Sequence, residues 1–126
     1  MGSNRNKKRR EPGIWFPNRL LLDPVFIKLP SRAKALLFDL GLQYNGHNNG
    51  SFMISDEFMR ENRGWSSKAT LHRAKMDLLQ AELIVETWKG GLGFGPSFYG
   101  FTWLAIDHST KCPRISGVGH TYRPLK

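Results

Sequence analysis

Cysteine is nearly absent from this chain, with Cys112 alone among 126 residues. A single thiol forms no intramolecular disulfide and no thiolate metal cluster, so we expect a protein of a reducing compartment. Long apolar runs are also missing. No run approaches the roughly 18 apolar residues of a membrane span, and the basic N-terminus lacks the apolar core of a signal peptide. These absences predict a soluble, cytoplasmic protein with no membrane partner.

Complete catalytic constellations are missing too. The four histidines are not at metal-ligand spacing, the cysteine lies beside a proline, and the acidic residues at 56, 57 and 61 fit a helix start and surface charge. No set of residues combines a nucleophile, a base and a group that orients the base. We therefore expect neither an enzyme nor a bound metal or cofactor.

Acidic residues are few relative to basic ones. Lys and Arg total 19 against 10 Asp and Glu, which gives a net charge of +9 and an isoelectric point near 10.1. This balance favours a polyanionic partner, and nucleic acid is the obvious candidate. Five cations are crowded into the first ten residues, so residues 1–13 are expected to form a disordered basic arm. With Glu11 this arm contributes +4 of the charge, and it is expected to bind the minor groove or the backbone of DNA and to add salt-dependent affinity. Its candidate DNA contacts are Arg5, Lys7, Lys8, Arg9 and Arg10.

Apolar periodicity predicts two helices in the first half of the chain. Residues 14–29 are apolar but contain two prolines, so an extended segment and one short turn of helix packed onto the domain are expected there. A helix follows and ends before a turn at 45–50. Its inward stripe is Ala33, Leu36, Leu37, Leu40 and Tyr44. A short strand at 51–54 leads to a second, short helix capped by Ser55.

The second half of the chain carries the more informative order of elements. A third helix is capped by Ser66 or Ser67. Its inward stripe is Leu71, Ala74, Leu78 and Leu79. A β-branched and aromatic strand at 83–88, a Gly-rich loop at 89–96 and a second strand at 97–106 then predict a hairpin.

This order predicts the α+β fold of a winged helix-turn-helix, with about three helices, a short strand and a C-terminal β-hairpin wing. The domain is expected to span residues 14–106. Residues 107–126 contain several prolines and glycines without sustained periodicity, so they are expected to form an irregular C-terminal tail.

The outward side of the third helix holds the candidate DNA contacts, because major-groove reading uses the N-terminal part of such a helix. These candidates are Ser66, Ser67, Lys68, Thr70, His72 and Arg73. Arg73 is the candidate for a base contact, since a guanidinium can bond guanine O6 and N7 together. Lys89 in the wing loop is placed near a phosphate. The alternative interpretation is structural, because such serines usually cap helices, exposed cations are usually solvated, and most of the aromatic residues are needed for the core.

A family resemblance rests on three runs: DPVFIKLPSRAKALLFDLGLQYNGHNNGSFMIS, then RGWSSKATLHRAKMDLLQAELI, then FTWLAI after a Gly-containing loop. Together they resemble the small winged helix-turn-helix proteins of proteobacterial prophages, plasmids and other mobile elements, over roughly residues 20–106. QYNGHNNG is the most specific piece, and the resemblance makes it the turn before the first strand. It also implies a DNA-binding or replication-associated role. Glu82 stands where the family commonly has a glycine, so a less sharply turned helix end is expected.

These observations predict a sequence-specific double-stranded DNA-binding protein that regulates transcription of mobile-element genes. A part in replication initiation is the first alternative. The second is a protein-binding winged-helix module that inhibits a host nucleic-acid-handling or defence complex, for which an outward Met76 and the aromatic segment 14–29 would form the interface. A homodimer is left open, because the spacing of DNA half-sites cannot be read from one chain.

Overall fold

The computed structural model describes residues 11–109 and 114–125. In these residues the chain is α+β, with five helices and one antiparallel pair of strands. The elements are α1 (Asn18–Leu21), α2 (Pro24–Ile27), α3 (Ser31–Gln43), α4 (Asp56–Arg63), α5 (Lys68–Gln80), β1 (Ile84–Trp88) and β2 (Phe98–Phe101). The cations predicted to form the arm, at positions 5 and 7–10, lie outside the described residues.

The prediction of about three helices was wrong, because the proline-containing segment forms two further single-turn helices. Pro17 precedes α1 in an extended conformation, and Pro24 occupies the first turn of α2. The Asp23 carboxylate accepts a hydrogen bond of 2.9 Å from the Val25 N–H and so caps α2. Prolines that prevent one long helix can therefore each begin a short one, since the fixed φ suits a helix start.

Helices α3 and α5 follow the predicted apolar stripes. Leu36, Leu37 and Leu40 of α3 are fully buried, and α5 buries Leu71 and Leu78 against them. This spacing places one face of each helix in the core, where every buried leucine contributes roughly 1.5–3 kcal/mol. No helix within the described ranges has the length and apolar content needed to cross a bilayer.

The sheet is smaller than the sequence predicted. β1 and β2 pair antiparallel with Glu86 opposite Tyr99, and the predicted strand at 51–54 is reduced to a single bridge between Phe52 and Tyr99. β2 therefore lies between β1 and Phe52. The second predicted strand, 97–106, is shorter in the structure and ends at Phe101, whose N–H and carbonyl both bond to the Asn49 side chain.

Aromatic side chains on β2 and just after it form the centre of the core. Phe101 and Trp103 stack with ring centroids 4.4 Å apart, and Phe52 lies 4.8 Å from Phe101. Tyr99 is also buried, and burial is the first cause that raises the pKa of its hydroxyl. The expectation that most of the aromatic residues pack in the core is confirmed for Tyr99, Phe101 and Trp103.

Residues 114–125 pack back onto the domain. Ile115 is buried, and the Ser116 N–H donates to the Thr87 carbonyl at 2.7 Å. Arg123 donates two hydrogen bonds to Asp23, of 3.0 and 3.3 Å, and this pairing lowers the pKa of the Asp23 carboxyl. The C-terminal segment thus joins the hairpin to the N-terminal cap of α2.

The end of α5 is turned sharply at Glu82, contrary to the expectation drawn from the family resemblance. Glu82 has a φ of 58° and is the one non-glycine residue with positive φ in the described part of the chain. The Leu83 N–H bonds to the Leu78 carbonyl and the Glu82 N–H to the Leu79 carbonyl, both at 3.1 Å. This hydrogen-bond pattern is the Schellman motif, whose left-handed position favours glycine.

Glu82→Gly is expected to stabilise the protein by about 0.5–1 kcal/mol, because it removes the left-handed strain of a residue with a Cβ at a modest cost in chain entropy. Chemical denaturation monitored by tryptophan fluorescence would measure the change. Glu86→Gly, in the interior of β1, is the control and should be destabilising. Destabilisation by Glu82→Gly would show that the carboxylate matters more than the backbone conformation.

Candidate nucleic-acid interface

Helices α4 and α5 are joined by a four-residue turn that α3 holds in place. The turn begins at Gly64, which has a φ of 76° and ends α4 in a left-handed conformation. Asp39 of α3 accepts hydrogen bonds from Arg63 Nε at 3.0 Å and from Trp65 Nε1 at 2.7 Å. Two side chains that flank Gly64 are thereby fixed to one carboxylate, which sets the direction in which α5 begins.

The N-terminus of α5 is capped by Ser67. Its Oγ accepts hydrogen bonds from the Thr70 N–H at 3.1 Å and from Thr70 Oγ1 at 3.0 Å. The hydroxyls of Ser67 and Thr70 are therefore used in the helix start, which agrees with the structural interpretation for Ser67. Ser66 and Lys68 are exposed beside them.

The outer face of α5 is open along its length. His72 and Arg73 are exposed, and Met76 on the same side is 38% exposed. Lys75 turns instead toward the sheet, where its Nζ lies 5.9 Å from the centre of the Tyr99 ring. Strand β1 begins just after the C-terminal end of α5, whereas Lys75 lies in the middle of the helix. The contact between Lys75 and Tyr99 therefore indicates that the hairpin runs back alongside α5.

Most arginines of the described residues are neutralised by carboxylates. The salt bridges join Arg32 to Asp77, Arg60 to Asp56, Arg63 to Asp39 and Arg123 to Asp23. The hydrogen bond to Asp77 raises the pKa of the Arg32 guanidinium, which stays charged. Lys68, Arg73 and Lys89 take part in none of these bridges. They are the cations of the predicted site that remain available to an outside anion.

The described residues as a whole are close to neutral. They contain 12 of the 19 Lys and Arg and all 10 Asp and Glu, so their net charge is +2. The other seven cations lie in the undescribed residues. A field strong enough to attract a polyanion over a distance therefore has to come mainly from the ends of the chain.

A cleft of about 580 Å³ opens beside the start of α5. Its walls come from α3, from Arg63, from the turn at residues 64–67 and from Thr70 of α5. Arg32 and Arg63 line it, although sequence reasoning assigned them no role. Both arginines already bind carboxylates of the same domain. The partners are 45 positions apart in the sequence for Arg32 and 24 positions apart for Arg63, so local sequence patterns do not reveal the pairing.

The loop between β1 and β2 is an ordered turn. The Gly91 N–H donates to the Gly95 carbonyl at 2.9 Å, and the Phe94 N–H donates to the Gly91 carbonyl at 2.9 Å. A Cβ at Gly90 would lie 2.2 Å from the Gly95 carbonyl oxygen, so the close approach of the two sides requires glycine there. Lys89 is exposed at the base of this turn. Sequence reasoning did not single out Leu92, which is fully exposed at the tip.

The structure places the predicted helix residues together at the start of α5 and places Lys89 on the hairpin. Ser66, Ser67, Lys68, Thr70, His72 and Arg73 all lie within or next to the first two turns of α5, whereas Lys89 belongs to the hairpin. Residues 11–109 and 114–125 contain no group of three His, Cys, Asp or Glu placed to hold a metal ion. Comparison with protein-family models, curated proteins and solved structures found no match for the chain, so its function has to be inferred from its own residues.

Proposed function

We propose that this protein is a winged helix-turn-helix that binds double-stranded DNA in a sequence-specific manner, as a transcriptional regulator of a mobile element. The observation that carries the proposal is the order of elements around an open helix. The elements follow one another as the parts of a winged helix do. Their order is α3, the Phe52 bridge, α4, the four-residue turn, α5 and the β1–β2 hairpin. In this proposal α5 is the recognition helix and the hairpin is the wing.

The exposed cations on α5 support this assignment. Arg73 projects from the open face of the helix without a carboxylate partner among the salt bridges of the described residues. An arginine so placed can bond guanine O6 and N7 together in the major groove. Lys68 and the free N–H groups at the start of α5 would contact the neighbouring phosphates.

In this proposal the basic N-terminal residues supply electrostatic affinity for DNA, because the described residues carry little net charge. Contacts to phosphates release counterions, and they supply most non-specific affinity. With a net charge of only +2 in the described residues, this electrostatic part of binding is assigned to the cations at positions 5–10. Helix α5 then supplies the sequence preference.

Arg73→Ala is expected to weaken binding to a preferred duplex about 5- to 150-fold, which corresponds to the roughly 1–3 kcal/mol of one bidentate base contact. The duplex would come from selection of the full chain against random sequences, and affinity would be measured by fluorescence polarisation at two salt concentrations. Binding to unrelated duplexes should weaken much less, because only the base contact is lost.

Arg19→Ala is the matched control, since it removes one positive charge from α1, where Arg19 bonds only the Leu125 carbonyl. Equal effects of the two substitutions would mean that Arg73 acts as a general charge. If deletion of residues 1–10 abolished binding and the selection recovered no preferred sequence, the basic residues alone would be the binder and α5 would have no reading role.

A protein-binding module is the second candidate, and an apolar surface favours it. Trp15, Phe38 and Leu42 are 80%, 59% and 56% exposed, and Phe16 packs edge-on against Phe38 at 6.3 Å. Solvent-facing apolar residues grouped in this way often mark a protein interface. Leu42→Glu separates the candidates: it should leave DNA affinity unchanged if α5 is the binder, and it should disrupt a homodimer or another protein complex seen by sedimentation.

A further inference from the structure

The tip of the β1–β2 hairpin presents two large apolar side chains to solvent. Leu92 is fully exposed and Phe94 is 68% exposed. The other residues between positions 90 and 95 are all glycine, so these are the only side chains on the tip. Hydrogen bonds between Gly91 and Gly95 and between Phe94 and Gly91 join the two sides of the turn.

The chemistry around this tip suits a negatively charged partner. No Asp or Glu occurs from Thr87 to Ile106, and Lys89 lies at the base of the loop. Glycine on both sides leaves no flanking side chains at the tip, so Leu92 and Phe94 project from bare backbone. The minor groove of DNA is roughly 6 Å wide, and proteins that bend DNA from this groove insert Phe or Leu between base pairs.

We propose that Leu92 and Phe94 form a wedge that enters the minor groove of bound duplex DNA, unstacks one base step and bends the duplex. The proposal rests on the proposed function and adds a second mode of recognition to it. Flexible pyrimidine–purine steps are the easiest to kink, so the wedge would favour a TA or CA step at a fixed distance from the bases that α5 reads. Sequence preference would then extend to base pairs that no polar side chain touches.

End-to-end energy transfer between two dyes tests the wedge on a duplex of about 30 base pairs. The duplex is the one recovered by selection, or a random-sequence pool of the same length if no preferred sequence emerges. Full-length protein should raise the transfer efficiency, as expected for a kink of roughly 20–90°. The double variant Leu92→Ala with Phe94→Ala should lose more than half of this rise and bind about 10-fold more weakly.

Two further variants keep the test specific. Leu92→Met with Phe94→Leu should retain the bend, because both replacements are apolar wedges of the kind that other minor-groove proteins use. Leu22→Ala removes another exposed leucine, 72% accessible, from the turn after α1 and should change neither bending nor affinity. All variants should melt at the wild-type temperature, since the replaced side chains bury little surface.

The remaining outcomes are distinct. Tight binding without a rise in energy transfer, or a rise that the double variant keeps, overturns the wedge and leaves DNA binding by α5 intact. Failure of the wild-type protein to bind any duplex overturns both proposals. Binding of the tip to neutral lipid vesicles but not to the duplex, lost in the double variant, would also overturn the wedge.

Discussion

Asn49→Leu is expected to lower the free energy of unfolding by about 3–5 kcal/mol, because it leaves several buried backbone groups without partners. The loss is a large fraction of the roughly 5–15 kcal/mol that stabilises a domain, and it corresponds to a melting temperature lower by about 10–20 °C. Differential scanning calorimetry and urea denaturation would measure the change. No other polar side chain in the described residues combines complete burial with so many backbone partners.

The reason lies in how Asn49 replaces a missing strand. Its Oδ1 accepts from the Phe101 N–H at 2.7 Å, and its Nδ2 donates to the Phe101 carbonyl at 3.0 Å. The same Nδ2 also lies within 3.3 Å of the carbonyls of Leu104 and Ala105. The side-chain amide thus bonds β2 as a neighbouring strand would, and leucine offers neither a donor nor an acceptor.

Asn49→Asp separates hydrogen bonding from shape. The replacement has nearly the same size and keeps the acceptor for the Phe101 N–H, but it directs an oxygen at three carbonyls instead of an N–H. Burial and these carbonyls disfavour the ionised form, so the folded-state pKa of the introduced carboxyl would rise above its unfolded value of about 3.9. The loss of stability caused by Asn49→Asp should therefore be small below about pH 3.9, and it should grow as the pH rises from there to the folded-state pKa.

Asn45→Ala is the control for a single exposed hydrogen bond, because Asn45 Oδ1 accepts only from the His47 N–H at the surface. Its cost should stay below about 1 kcal/mol. A similarly small cost for Asn49→Leu, or a pH-independent cost for Asn49→Asp, would show that water or a backbone rearrangement can replace the Asn49 amide.

Gly100→Ala is expected to cost about 3 kcal/mol, near the upper end for overpacking, because the obstacle is backbone. An added Cβ would lie 2.7 Å from Gly50 Cα, 2.8 Å from Gly50 N and 2.9 Å from Ile106 Cδ1. Two backbones cannot separate locally without disturbing the Phe52–Tyr99 bridge and the Asn49 contacts on either side. Urea denaturation would give the loss in stability.

Gly13→Ala provides the matched comparison, since no atom lies within 4 Å of the Cβ it would add and the site is exposed. It should change stability by less than about 0.5 kcal/mol. Gly100→Ala with a cost as small as this would mean that β2 and the loop at residue 50 can move apart freely.

Both substitutions would also affect the proposed interface. Asn49 and Phe52 bond to Phe101 and Tyr99, and these contacts fix the base of the hairpin against the loop that follows α3. The position of the tip relative to α5 depends on that base. A protein that keeps its helices but loses these contacts should therefore bend DNA less, even when Arg73 is intact.

The predictions that succeeded depend on local sequence. The apolar stripes of α3 and α5, the Ser55 and Ser67 caps and the Gly-rich loop each involve residues only a few positions apart. Spacing and capping chemistry at that range are enough to predict a helix or a hairpin. The single-turn helices α1 and α2 were missed because prolines signal a break without telling whether a new helix begins.

The candidate site was only partly accessible to sequence reasoning. Periodicity placed Arg73 and His72 on the outward side of α5, where the structure has them exposed. It could not show that Arg32 and Arg63 are neutralised, because their partners Asp77 and Asp39 lie on other helices. The available charge at the site is therefore smaller than the composition suggests.

By itself, the sequence determined where α3, α4, α5 and the hairpin lie along the chain. It also showed that much of the net positive charge lies outside these elements. Only the tertiary structure decided that Asn49 substitutes for a strand, that Glu82 adopts the left-handed turn and that Leu92 remains exposed. Helix and turn signals act over a few residues. Burial, pairing and exposure depend on which distant segments meet in the folded chain.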